Sequence, residues 1–410
     1  MERRRDGGGQ APRLAVLMGK RPLFAGIFAV LSLGIGFAGA EIFVRVLGRY
    51  DADGTFYFRE KPIPPFALPV RAAKQLIGEY LADQTGYMAW DADLGWTNRP
   101  SSCTRDNKYC ANADGIRADH NYSKEIAPGV LRISLFGDSF IHGHDVDLAG
   151  SLAPQLEKAL AARGVKAEAL NFGVGGFGID QAYLRYSREG SKFDTNIIVE
   201  GLQFENVARH LMVFRLIAYP QSKIPFSKPR FHFEGPSLLV ANKPTIAPDR
   251  IADALAHFDR SPLKPLEFFY TDKYRPHWWR SSKLLSVLAE SRRKDDSLDI
   301  MRAGGEGIQL TLAILDRFKN DVTVTGKPFL LVYLPLKGNL EAILRGEKDP
   351  WEPYVNMFRK DFIIVDPTSR LLEVARKQGV DAVAPGHYSA AGNRAVAEAL
   401  AEAIANRKDQ

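Results

Sequence analysis

The chain has 410 residues, 45% hydrophobic and 25% charged, with 35 Gly and 24 Pro. That is an ordinary globular balance, which excludes a disordered tail, a collagen-like repeat and a disulfide miniprotein. Of the formal net charge of +7, the six basic and two acidic residues of the first 22 positions supply +4; the rest is nearly balanced, which argues against a nucleic-acid surface.

Residues 1–22 form a basic leader. Leu23 to Ala40 then carries no charge, and Ile42, Phe43 and Val44 extend the apolar run past Glu41. A bilayer core takes about 20 apolar residues, so residues 23–47 are expected to be a transmembrane anchor. Positive charge before the span predicts a cytoplasmic N-terminus and places everything after about Tyr50 across the membrane. The competing expectation is a signal peptide cleaved after Ala40, because Ala38-Gly39-Ala40 has the small-x-small form. The run exceeds the usual apolar region of about 7–15 residues, which favours the anchor.

Residues 51–128, rich in Pro, Gly, Asp and Asn, read as an irregular lead-in packed on the main domain, with a short helix near 71–81. Cys103 and Cys110 are the two cysteines. A disulfide suits an exported domain, two unpaired thiols are the alternative, and further ligands for a cysteine-based metal site are missing.

From Leu131 the pattern becomes regular. LRISLF (131–136) is a strand, and Leu152, Leu156 and Leu160 line one helical face after Ser151. Residues 167–172 and 196–202 read as strands around a helix at 180–188. Residues 210–299 break the alternation with aromatic and basic residues, among them Trp278, Trp279, Arg280 and Lys283, either an acceptor-binding surface or a satellite core. Helices near 307–320, 351–358, 369–377 and 390–405 and strands at 328–334 and 362–365 follow. Five strands with interleaved helices predict a flavodoxin-like three-layer α/β/α sandwich over 129–406.

Catalytic groups in such folds sit at the carboxyl ends of strands. The first strand ends in Gly137-Asp138-Ser139-Phe140, where the serine becomes a nucleophile if a base reaches it. The second ends in Asn171-Phe172-Gly173-Val174-Gly175-Gly176-Phe177-Gly178, whose backbone N–H groups suit a phosphate or an oxyanion. Gly173, Gly175 and Gly178, with Glu200 on the next strand, also fit a dinucleotide fingerprint. The third strand leads to Asn206, an amide donor or a helix cap. Gly386-His387-Tyr388-Ser389 opens the last helix, where His387 is a candidate general base. His142-Gly143-His144-Asp145 has an H-x-H but lacks the rest of a metallo-hydrolase pattern, so no metal is expected.

In this order and on these strand ends, the four blocks resemble the SGNH/GDSL hydrolase family, and Asn112-Ala113-Asp114-Gly115-Ile116-Arg117 upstream resembles the lead-in of its membrane-anchored bacterial members. The resemblance implies Ser139 as nucleophile, His387 as base, and an oxyanion hole from Ser139, Gly176 and Asn206. It implies no cofactor, and an acyl-ester substrate such as an acetylated glycan or lipid-linked sugar. Placement would be in the bacterial inner membrane, single-pass, with the catalytic domain periplasmic or extracellular. Phe140 replaces the family's Leu, and Phe204 and Val207 depart from its third block. The family's acid lies three residues before the histidine, where this chain has Ala384. Asp381 is the tentative replacement; Asp366 or a backbone carbonyl are the others. Two further readings remain open: a glycan-binding or assembly protein that has lost catalysis, and a dinucleotide-binding oxidoreductase, which predicts no contact between His387 and Ser139.

Overall fold

The computed structural model describes residues 21–292, 300–301 and 304–408; most of the basic leader and part of the 210–299 segment lie outside these residues. The chain forms two compact units. One contains residues 21–67 and 271–292, and the other contains residues 68–270, 300–301 and 304–408.

In the first unit, helix α1 (Arg21–Leu47) contains the stretch Phe24–Leu47, long and apolar enough to cross a membrane. Phe28, Leu33 and Ile35 along it are each more than 70% exposed, which in water would be prohibitive for so many contiguous apolar side chains. Only its C-terminal end joins a protein core: Val44 packs with Phe56 and Ile63, flanked by Phe58, Leu284 and Val287. The phenylalanines and Ile63 come from a three-stranded antiparallel sheet, Arg49–Tyr50, Phe56–Phe58 and Lys61–Ile63. Leu284 and Val287 come from the helix Lys283–Ser291.

The second unit holds a five-stranded parallel sheet: β1 (Leu131–Phe136), β2 (Ala167–Asn171), β3 (Ile197–Leu202), β4 (Phe329–Tyr333) and β5 (Ile363–Val365). Its order is β5-β4-β3-β1-β2, that of a flavodoxin-like doubly wound sheet. The strand residues alternate between the two faces. Ile133, Leu135, Val199, Leu330 and Val332 meet α3 (Leu152–Ala161), α9 (Thr368–Gln378) and α10 (Ala390–Lys408) in one apolar core. On the opposite face Phe136 stacks on Phe172 and meets Tyr186 and Phe318 edge-on, the last two from α4 (Ile179–Arg188) and α6 (Glu306–Thr323). Two short helices, α2 (Ser139–His142) and α5 (Asn206–Arg209), start beyond the carboxyl ends of β1 and β3. The helices α7 (Lys337–Leu344) and α8 (Glu352–Phe358) lie between β4 and β5.

The three-layer sandwich is therefore present as expected from the strand and helix pattern. The segments around it divide differently. Residues 51–67 go with α1, whereas 68–128 belong to the sandwich unit, supplying a helix at Val70–Ala82 and two antiparallel hairpins. One hairpin is closed by a disulfide between Cys103 and Cys110. The 210–299 segment divides too: up to Tyr270 it lies in the sandwich unit, and from Thr271 to residue 292 it lies in the first.

Candidate active site

β1 is fully covered except at its start and runs into Gly137 at φ +146°. A Cβ there would come within 2.6 Å of Ile141 Cγ1, so the turn requires glycine. Asp138 then caps α2, its Oδ1 accepting from Phe140 N at 2.8 Å. Ser139 is the first residue of this single helical turn and is 9% exposed. Its Oγ lies 2.9 Å from Nε2 of His387.

His387 is held from the other side by a carboxylate: Nδ1 lies 2.9 Å from Asp145 Oδ2. Since an ionised carboxylate only accepts, Nδ1–H donates to Asp145 and Nε2 is left with the lone pair that receives the Ser139 proton. Burial raises the Asp145 carboxyl, but the hydrogen bond from His387 and the nearby His144 and His387 outweigh it and hold the group below its ordinary value. The Ser-His-carboxylate chain is thus complete, with the acid six positions after the serine.

The expected acid is elsewhere. Asp381 is exposed and pairs with Lys337 Nζ. Asp366 accepts from Thr368 and from Arg359 Nη2 at 2.9 Å. Ala384 is buried in the apolar core beside Val383 and Tyr388, where a carboxylate would be desolvated without a partner. Asp381 as the acid is therefore corrected to Asp145.

Asp145 reaches His387 because α2 ends after one turn. Gly143 at φ +81° terminates it, His144 N donates back to Ser139 O at 2.8 Å, and Asp145 itself takes φ +72°. A left-handed aspartate is uncommon and persists only where surroundings enforce it. Two groups do so. Tyr109 Oη accepts from Asp145 N at 2.9 Å. The buried Arg117 guanidinium donates to the carbonyls of His142, of Gly143 at 2.6 Å and of Val146 at 2.7 Å. Arg117 is placed in turn by Asn112, whose Oδ1 accepts from Asp114 N and Ile116 N. The 112–117 motif upstream of the serine therefore works as a brace for the turn carrying the acid. Sequence reasoning missed Asp145 and Arg117. The glycine after a four-residue helix, followed by His-Asp, is the signal that could have found the first.

The glycine loop and Asn206 are each tied to the serine turn. Val174 N donates to Gly137 O at 3.1 Å, tying the glycine loop to the serine turn. Gly176 has φ +81°, and the loop around it is pinned by Trp96 Nε1 on Gly175 O at 3.0 Å and Arg215 Nη1 on Gly176 O at 3.1 Å. Asn206 Nδ2 donates to Asp138 Oδ2 at 3.3 Å, leaving its second hydrogen for a ligand oxygen. α5 is anchored behind it by His210, whose Nε2 accepts from Ile179 N at 3.1 Å and whose Nδ1 faces Thr311 Oγ1 at 2.9 Å. Burial and the surrounding cations push His210 down to about 4, so it is neutral and able to accept.

Two other expectations meet this geometry. Glu200 does not face a ligand groove. It is fully buried, neither oxygen has a partner among the described residues, and burial with the charges of Asp138 and Asp180 raises it well above the ordinary range. A Cβ at Gly173 would collide with the backbone of His142, so that glycine admits α2 and not a dinucleotide. With His387 on Ser139, the oxidoreductase reading is overturned. In the H-x-H stretch, His142 is buried on Tyr87 Oη at 2.9 Å. His144, Asp145 and His387 are the described residues that could hold a metal, with ligand atoms within 4.8 Å of one another, but Asp145 and His387 already engage each other. Trp278, Trp279, Arg280 and Lys283 lie in the unit of α1, whereas Ser139, Asp145 and His387 lie in the sandwich unit.

No protein-family model matches the chain, and no curated protein matches it. Among solved structures, an acetylxylan esterase from Geobacillus stearothermophilus is similar at 13% identity and a TM-score of 0.35, covering 67% of this chain and 94% of its own. A lipase/acylhydrolase from Enterococcus faecalis is similar at 12% identity and a TM-score of 0.34, covering 68% of this chain and 96% of its own. A member of the lipolytic protein G-D-S-L family from Veillonella parvula is similar at 10% identity and a TM-score of 0.33, covering 67% and 98%. Likeness at this level does not carry function, which must come from the geometry of the chain's own residues.

Proposed function

We propose that the chain is a serine acyl-ester hydrolase of SGNH/GDSL type that works through Ser139, His387 and Asp145. The observation that carries the reading is the continuous chain Ser139 Oγ, His387 Nε2, His387 Nδ1, Asp145 Oδ2, with both links at 2.9 Å. His387 takes the Ser139 proton as Oγ attacks the ester carbonyl carbon. The tetrahedral oxyanion is received by the N–H groups of Ser139 and Gly176 and by the free Asn206 Nδ2–H. The C–O bond to the leaving alcohol breaks, and His387 Nε2–H protonates that oxygen. Water, deprotonated by His387, then attacks the acyl-enzyme and releases the carboxylic acid and Ser139. An acceptor hydroxyl in place of water would give O-acyl transfer. Acetylated glycan or lipid-linked sugar is the substrate class proposed, and α1 as an uncleaved single-pass anchor would hold the catalytic unit at the outer face of a bacterial inner membrane. A catalytically silent binding role loses its ground, since it rested on a missing carboxylate. Release of acetate from O-acetylated xylan oligomers by the full chain, absent in Ser139→Ala, tests the reading; no release from any acyl ester by folded protein would contradict it.

A further inference from the structure

Between Phe24 and Ala40, α1 carries 17 residues without a charge, which at 1.5 Å per residue span about 25 Å, close to a hydrocarbon core of about 30 Å. Glu41 comes next, and its carboxylate must lie at the polar boundary. That carboxylate is also the group that ties α1 to the 271–292 segment. It accepts from Ser282 Oγ at 2.8 Å, Lys283 N at 2.9 Å and Leu284 N at 2.8 Å, and from Arg45 Nε at 2.6 Å. One turn on, Arg45 Nη2 donates to Ser281 O at 2.7 Å. Residues 281–284 are thereby fixed at the depth of Glu41. Immediately before them, in the 3-10 turn Trp278–Ser281, Trp278 is 87% exposed, among the most exposed large apolar side chains of the described residues.

An exposed indole in the turn that leads into the residues held by Glu41, at the depth where an apolar helix meets its first carboxylate, is what the headgroup layer of a bilayer selects. We propose that the Trp278–Leu284 segment is a membrane-seating surface, with the Trp278 indole lodged among lipid headgroups. The proposal rests on α1 as a retained anchor and gives the aromatic and basic segment a lipid partner in place of an acyl acceptor.

The test uses the full chain in phosphatidylcholine–phosphatidylglycerol vesicles, with an environment-sensitive fluorophore on Trp278→Cys; the native cysteines are paired in a disulfide and do not label. Nitroxide-labelled lipids quench at a shallow or a deep acyl position. Shallow quenching should exceed deep quenching by about two-fold or more at 278, and the order should reverse for Leu33→Cys in mid-helix. No quenching at 278, or deep quenching exceeding shallow, overturns the proposal if Leu33→Cys behaves as expected. An unquenched Leu33→Cys removes the anchored reading itself, and the proposal with it. In an independent measurement without labelling, brominated lipid should quench the intrinsic fluorescence of the wild type more than that of Trp278→Phe; equal quenching overturns the seating.

Discussion

In the proposed mechanism Asp145, 2.9 Å from His387 Nδ1, takes the part of the carboxylate expected three positions before the histidine, and it does so from another part of the chain. The imidazole needs a carboxylate on Nδ1, whichever segment supplies it. Asp145→Asn should therefore lower kcat/KM on an acyl ester by about 10²–10⁴-fold, whereas Asp381→Asn should stay within about two-fold of wild type. Equal losses would return the acid to Asp381. Because Asp145 is held below its ordinary value, folding favours its ionised form; the gain is present at neutral pH and lost as pH falls below about 4. Any part of the Tm difference between wild type and Asp145→Asn that comes from this ionisation should accordingly shrink as pH falls below about 4. Ser139 and His387 were legible in the sequence because each sits in a short motif at a strand end. Asp145 was not, because its role depends on a left-handed backbone turn that no residue-type pattern specifies, and because it stood in a stretch that reads first as metal-like.

At the scale of elements, the turn after α2 is a loaded piece of backbone braced by Arg117 and Tyr109. Replacing Arg117 by Met removes its donors from the carbonyls of His142, Gly143 and Val146, of which the His142 oxygen keeps a contact from Asn171 Nδ2 at 3.4 Å; the loss should lower unfolding free energy by about 2–5 kcal/mol, read as a fall in chemical-denaturation midpoint. An unchanged midpoint would mean that water replaces the guanidinium there. Tyr109 belongs to the hairpin closed by Cys103 and Cys110, so its hold on Asp145 depends on that closure. Tyr109→Phe should cut kcat about ten-fold with KM little changed, the loss of about one hydrogen bond's net worth. Reduction of the disulfide should slow the enzyme in the same direction in wild type and have a smaller effect in Tyr109→Phe. If reduction slows both equally, the hairpin acts by some route other than Tyr109. The strands and helices of the sandwich were readable from their apolar periodicity. The division of 51–128 and 210–299 between two units was not, because it is set by the packing of Val44 on Phe56 and Ile63 and by the contacts of Glu41 with Ser282, Lys283 and Leu284, more than 200 positions away.

For the whole molecule, those same contacts join the fate of α1 to the small unit at its end. A chain beginning after residue 53 would lack Glu41 and Val44 and expose that unit's core, so the intact chain in detergent or vesicles is the proper material. With α1 retained, the protein should stay with the membrane pellet after alkaline extraction and begin upstream of Leu23; a soluble form beginning at Glu41 would establish cleavage instead. The central claim, an activated serine oriented by Asp145, is tested most directly by intact-mass analysis of the full chain after fluorophosphonate treatment. One adduct on wild type is predicted, absent from Ser139→Ala and His387→Ala and formed at least about 10²-fold more slowly on Asp145→Asn. No adduct on folded wild type, or labelling of Asp145→Asn at the wild-type rate, would contradict it.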